Sequence, residues 1–150
     1  MSDVIFRAAV RSDLPAVLAL LADDALGRSR EVGEVDAAYE RAFDDITADP
    51  RNDLVVTEAG GAVVGCMQLT YIPGLSRHGA ERQLIEAVRV RSDQRGRGLG
   101  REMITWAVDR ARERGCGLVQ LTTDKSRHDA HRFYLGLGFV ASHEGMKLHL

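Results

Sequence analysis

The sequence predicts an α/β chain, a mixed sheet with helices on its faces, in the order β-α-α-β-β-β-α-β-α-β. Three observations carry that expectation. Short β-branched runs alternate with stretches whose apolar residues recur at helical spacing. Two of the strand-like runs are joined by Ala59-Gly60-Gly61, a hairpin signal. A third runs through a glycine-rich loop straight into a long helical pattern. The chain has 150 residues, the size of one domain, and 1–150 is expected to form one.

Taken in order, "VIFRAAV" reads as the first strand. "RSDLPAVLALLADD" is a helix with Ser12 or Asp13 as N-cap, Pro15 in the first turn, and Leu14, Val17, Leu18 and Leu21 as its stripe. "EVDAAYERAFDDITAD" is a second helix after the loop "LGRSREVG". "DLVVTEAGGAVVGCMQLTYI" is the hairpin, "PGLSRHGAE" a loop and "RQLIEAVRV" a strand. "REMITWAVDRARERG" is a helix that places Leu99, Met103, Ala107 and Ala111 on one face and stops at Gly115. "GLVQLTTD" is a strand. "RHDAHRFYLGLG" is a short helix with Ala130, Phe133, Tyr134 and Leu137 in register, and "FVASHEGMKLHL" reads as one or two final strands.

Composition excludes several classes. A net charge of −2 gives no basic field for nucleic acid, and the Arg-Gly run at 95–101 has no interleaved aromatics. The longest apolar run, near "AVLALLA", is too short to span a bilayer. The N-terminus "MSDVIFRAAV" lacks an apolar signal core, so no secretory peptide is expected. Cys66 and Cys116 have no metal-like spacing and read as two buried free thiols in a reducing cytoplasm. His128 and His131 stand three apart with no third ligand in view, so no metal site is expected.

The stretch "RGRGLGR", 95–101, sits between a strand and a helix. The first N–H groups of a helix have no internal partner and carry the positive end of its dipole. Glycines at 96, 98 and 100 let a diphosphate approach them, and Arg95, Arg97 and Arg101 add positive charge. The alternative is a glycine-rich turn with solvated arginines. A Walker loop is excluded, since no Gly-Lys precedes Ser or Thr here.

The spacing Arg95-x-x-Gly98-x-Gly100 resembles the acyl-CoA-binding loop of the GNAT superfamily of N-acyltransferases, Gln/Arg-x-x-Gly-x-Gly/Ala. "DAHRFYLGLGF" is similar to that family's Ala-x-x-Phe-Tyr-x-x-x-Gly-Phe block. The resemblance implies that the chain uses acetyl-CoA, with the diphosphate on Arg95, Gly96, Arg97, Gly98, Leu99, Gly100 and Arg101, and the pantetheine arm along Val88, Arg89 and Val90. It implies that Tyr134 protonates the leaving thiolate, the alternative being a core tyrosine. Many members carry Asn where this chain has Arg127, which is then expected to grip a CoA phosphate or cap the helix differently.

Acetyl transfer to an alkylamine needs a proton acceptor, because such an amine, with a pKa near about 10.4, is mostly protonated at neutral pH. Glu86 is the candidate base. It lies in a strand expected to be covered on both faces, where a carboxylate is costly unless paired or functional. The alternative is a structural pair with Arg82 or Arg89. The backbone N–H of Val88 is the candidate donor to the thioester carbonyl. The acceptor pocket is expected between "ADDALGRSRE", offering Asp23 and Asp24, and "PGLSRHGAERQ", offering Arg77, His78 and Arg82. Residues 126–148 also look like the C-terminal part of aminoalkylphosphonate N-acetyltransferases, which makes a small amine with an acidic substituent a candidate. The expectation is therefore a cytoplasmic N-acetyltransferase acting on a small primary amine by direct attack, and the family resemblance implies a homodimer. The rivals are a protein or peptide acetyltransferase and a CoA-binding sensor without turnover.

Overall fold

The computed structural model describes residues 3–23 and 34–150. The elements are β1 (Val4–Ala8), α1 (Leu14–Ala22), α2 (Ala37–Ala48), β2 (Asn52–Ala59), β3 (Ala62–Ile72), α3 (Ser76–Gly79), β4 (Arg82–Val90), α4 (Leu99–Arg114), β5 (Leu118–Gln120) and α5 (His128–Gly136). One five-stranded sheet has the order β1-β2-β3-β4-β5. β1 to β4 are antiparallel to their neighbours, and β4 pairs with β5 in parallel. The chain divides into two compact units, 1–120 and 121–150.

In the first unit the hairpin turn falls on Gly60 and Gly61, with φ of 58° and 80°. Two positive φ values in a two-residue loop match the right-handed twist of the strands, which is why glycine stands at both. One face of the sheet receives α1 and α2: Leu14, Val17, Leu20 and Phe43 bury Val56 and Cys66. The other receives α4. Leu99, Met103, Ala107 and Ala111 are all buried, as their spacing predicts. Trp106 stacks on Phe6 of β1 at 5.3 Å, and Gln83 of β4 donates to the Ala107 carbonyl at 2.8 Å. Gly115 ends α4 with φ 82°.

Several expectations change. α1 is entered through a short 3-10 turn at Arg11–Asp13. Asp13 stands at the N-cap position but directs its carboxylate to Arg7, at 2.7 and 3.0 Å, and to the Val10 N–H. The Arg7 guanidinium is the main reason that this carboxyl is held below the usual range. Cys66 is buried, but Cys116 is only partly so. Ser76–Gly79, expected as part of a loop, is a four-residue turn in which Arg77 and His78 have φ of 56° and 60°.

The second unit holds α5 and the chain after it. The expected final strands do not form: residues 137–150 carry no strand. Val140, Met146, Leu148 and Leu150 are exposed. An alternating pattern marks one face of a segment but supplies no ladder partner, and a strand exists only where one is met.

Candidate active site

β4 is the axis of the site. Its pairing with β5 covers three positions, Arg82↔Leu118, Gln83↔Val119 and Leu84↔Gln120. Beyond Leu84 no pairing with β5 continues, so the β5-side edge of β4 is open from Ile85 onward among the described strands. A bulge accompanies this parting. Cys66 pairs with Arg89 and Gln68 with Glu86, so Ala87 and Val88 together face the single residue Met67. Ala87 has φ 53°, a left-handed conformation unusual for a residue with a Cβ. The Arg91 N–H donates to Val64 on β3 at 2.8 Å. Strand alternation therefore turns the backbone groups of Val90 to the open edge. The Val90 carbonyl there accepts from Arg95 Nε at 3.0 Å, and the Val88 carbonyl accepts from Arg89 Nη1 at 3.0 Å.

The loop that follows leads directly into α4. Gly96 and Gly98 have φ of 77° and 82°, and a Cβ at either would meet nothing within 4 Å. The backbone is thus bare on the side from which a ligand would come. Gly98 is the N-cap of α4 and offers no side-chain cap, so the N–H groups of the first turn, beginning at Leu99, are not capped by a side chain. Gly100 and Arg101 lie in that turn. The three arginines separate into two roles. Arg95 is a staple, bonded to Val90 and to the Asp23 carbonyl at 3.2 Å, with the Asp23 carboxylate 3.7 Å away. Arg97 and Arg101 are exposed and make no ion pair among the described residues. A diphosphate fits this loop: open left-handed glycines, an uncapped helix start and two uncommitted guanidinium groups.

Glu86 is exposed. The expectation of a strand covered on both faces is corrected here: Glu86 is exposed although Leu54, in the same cross-strand row, packs against the cluster under α1 and α2. Glu86 makes no ion pair among the described residues, so the structural-pair alternative with Arg82 or Arg89 has no support in the geometry. Its cross-strand partner is Gln68. Thr70, two residues along β3, pairs with Asn52 of β2. Gln68, Thr70 and Asn52 are half-buried and hydrogen-bonded together. This polar patch was missed from the sequence, although polar residues at alternate positions of "CMQLTY" signalled it. Cys66 lies on the same face. Burial pushes its thiol up to about 12. Cys116 is raised as well, chiefly by desolvation. Both remain thiols at neutral pH and are poor nucleophiles.

In the second unit Tyr134 lies on α5, half-buried, with ring centroids 5.0 Å from Phe133 and 5.7 Å from Phe139, both edge-on. Arg127 is the N-cap residue of α5 and makes no side-chain cap bond. It lines an open depression with Ser126, His128, Asp129, Ala130 and Arg132.

The expected acceptor residues are less gathered. Asp24 lies outside the described residues. Arg77 and His78 are exposed on the turn before β4. Arg82 opens β4 and projects from the same sheet face as Glu86, since the two are an even number of positions apart before the bulge.

This geometry has known counterparts. Residues 16–139 match the model of the acetyltransferase (GNAT) family. The chain belongs to that family. It is 32% identical over 106 residues to the aminoalkylphosphonate N-acetyltransferase of Salmonella typhimurium, covering 71% of this chain and 68% of that one. It is 30% identical over 135 residues to the L-methionine sulfoximine/L-methionine sulfone acetyltransferase of Pseudomonas aeruginosa, covering 87% and 77%. A crystal structure from Bacillus halodurans, described as a transcriptional regulator, superposes with a TM-score of 0.95 at 49% identity, covering 98% of this chain and 99% of that one. The protein is accordingly a GNAT acetyltransferase with that family's mixed α/β fold, and enzymes of this family use acetyl-CoA. Among the described residues no helix is long and apolar enough to cross a membrane.

Gly98 and Gly115 make a matched pair for testing the loop. Both have φ 82°, with open space where a Cβ would stand, one at each end of α4. A side chain at either costs about 1–2 kcal/mol of backbone strain. Gly98→Val and Gly115→Val are therefore expected to lower the melting temperature to a similar degree. Only Gly98→Val should weaken CoA binding by calorimetry, by about tenfold or more, a loss of at least about 1.4 kcal/mol. Equal CoA affinity in the two variants would remove the diphosphate from this loop.

Proposed function

We propose that the protein transfers the acetyl group of acetyl-CoA to the primary amine of a small molecule by direct attack. The observation that carries this reading is the β4 edge: it parts from β5 after Leu84, bulges at Ala87 and runs into the open glycine loop, with the exposed Glu86 one residue before the bulge. Bound acetyl-CoA would supply an activated thioester carbonyl. The protein's own groups do the rest. Gly96, Gly98 and the first turn of α4 hold the diphosphate, with Arg97 and Arg101 neutralising it and Arg95 fixing the loop. Val88, Arg89 and Val90 hold the pantetheine amides on the open edge, and the Val88 N–H donates to the acyl oxygen. Glu86 takes a proton from the acceptor's ammonium group. Tyr134 holds the proton that the departing thiolate takes up. Arg127 is assigned to a CoA phosphate. The inert thiols of Cys66 and Cys116 support direct attack over an acyl-cysteine route.

Both curated relatives are named for small-molecule acceptors, which supports a small amine here. Arg82 and Arg77 supply cations for an acidic substituent on it, with His78 as a further polar contact, and Asp24 remains a proposed contact of its amine. The reading extends to a single domain over 1–150, since the family match runs through both compact units. A cytoplasmic location and a homodimer remain part of the proposal. The test is a panel of primary amines, headed by 2-aminoethylphosphonate, assayed for CoA release with purified protein. Turnover on an amine with an acidic substituent is the expected result. CoA binding without turnover on any amine would favour a second reading, a CoA-binding sensor, which the Bacillus halodurans structure described as a transcriptional regulator makes worth separating.

A further inference from the structure

The polar patch beside Glu86 has a fixed hydrogen-bond direction. It begins at Asp49, the residue that ends α2. Its carboxylate accepts from the Arg51 N–H at 2.8 Å and from Asn52 Nδ2 at 2.9 Å. These two donors, the Arg51 N–H first, hold it below the usual carboxylate range, so at neutral pH it is ionised and can only accept. Asn52 must therefore turn its amide nitrogen to Asp49 and its oxygen away. That oxygen, Oδ1, accepts from Thr70 Oγ1 at 2.8 Å and from Gln68 Nε2 at 3.2 Å. Gln68 in turn must point its nitrogen at Asn52, which leaves its oxygen, Oε1, facing away from the network. No hydrogen bond engages that oxygen among the described residues. Gln68 lies directly across from Glu86 on the adjacent strand, and side chains of such a pair share a face with Cβ atoms about 4.5–5.5 Å apart.

We propose that Gln68 Oε1 and the Glu86 carboxylate form an acceptor-only clamp for the ammonium group of the acetyl acceptor, with Asp49 and Asn52 as positioning residues that keep the Gln68 oxygen turned outward. The inference rests on the proposed acetyl transfer and names the part of the site that selects the amine. An alkylammonium carries three N–H donors and no acceptor. The pair of oxygens accepts it and, at that point of the face, opposes a group that needs a donor, such as a carboxylate. The clamp also orders the proton transfer. One N–H donates to Gln68, which cannot be protonated and holds the nitrogen in place. Another donates to Glu86, whose carboxylate takes that proton and becomes the neutral acid. The nitrogen is left with its lone pair, as direct attack requires. Thr70 donates its hydroxyl hydrogen bond to Asn52 and so offers no donor from that hydroxyl to the amine.

The experiment compares Gln68→Met and Gln68→Glu with the parent on the amine that turns over best, together with CoA titration by calorimetry. Gln68→Met keeps the length of the side chain and removes the oxygen. It should raise KM for the amine about tenfold, with kcat within about threefold and CoA affinity unchanged. Gln68→Glu keeps an oxygen toward the amine and loses the donor to Asn52. It should hold KM at or below the parent's value. A merely structural Gln68, present to donate to Asn52, gives the opposite order, because Gln68→Glu then sets two acceptors against each other. Asn52→Leu, which frees Gln68 to rotate, should raise KM less than Gln68→Met does. Parental KM in Gln68→Met, or a higher KM in Gln68→Glu than in Gln68→Met, overturns the clamp while the acetyl transfer stands. A parent without turnover on any amine of the panel removes the proposed function and the clamp together.

Discussion

Tyr134→Phe is expected to turn over about 10²–10⁴-fold more slowly than the parent, the usual contribution of a general acid or base. Its CoA affinity should change by less than about twofold, since the hydroxyl is needed when the thiolate leaves and not when the ligand binds. Phe133 and Phe139 meet Tyr134 edge-on, and phenylalanine keeps both ring contacts. A melting curve beside the kinetics separates a loss of stability from a loss of rate. The measurements are steady-state kcat on a good amine, CoA titration by calorimetry and thermal melting. A Phe variant that turns over at the parent rate makes Tyr134 a packing residue, which was the alternative its place on an apolar helical stripe left open.

How much of this was legible in the sequence depended on whether one residue type was decisive. Glycine was. Gly60 and Gly61 gave the hairpin, Gly98 the start of α4 and Gly115 its end, because each stands where φ is positive and other side chains are strained. The buried stripe of α4 was equally plain, since its four positions meet the sheet at helical spacing. The bulge at Ala87 was not legible. Nothing in "IEAVRV" marks the left-handed residue, and only the register between Cys66 and Gln68 shows it. Glu86 was proposed as the base for a reason that the structure corrects. It was singled out as a carboxylate inside a covered strand, whereas it is exposed, two positions past the last residue of β4 that pairs with β5. Gln68, Thr70 and Asn52 were passed over because each is unremarkable in its own strand. They become a unit only when β2, β3 and β4 are set side by side. The last strands failed in the opposite way, since the apolar pattern after α5 was present and residues 137–150 form no ladder.

The exposure of Glu86 changes what its substitution should do. A paired, buried carboxylate would be expected to destabilise the fold when neutralised. Here Glu86 is open to solvent and unpaired among the described residues, so Glu86→Gln should shift the melting temperature by no more than about 3 °C. The effect should fall on rate, by about 10²–10³-fold near neutral pH. Its pH dependence follows from the acceptor. An alkylamine with a pKa near about 10.4 is almost wholly ammonium at pH 7, and its neutral fraction grows about tenfold for each unit of pH. The parent has a carboxylate to take the proton, whereas the variant depends on the amine that solution has already deprotonated. The deficit of Glu86→Gln should therefore be largest at low pH and shrink steadily as pH rises. Glutamine keeps an oxygen toward the ammonium, so KM should change less than kcat, which separates proton acceptance from binding. The measurement is the pH–rate profile of parent and variant on one amine, beside their melting curves. Parallel profiles, with the variant equally slow at every pH, would take the base role from Glu86 and give it to solvent or to the free-amine fraction of the acceptor.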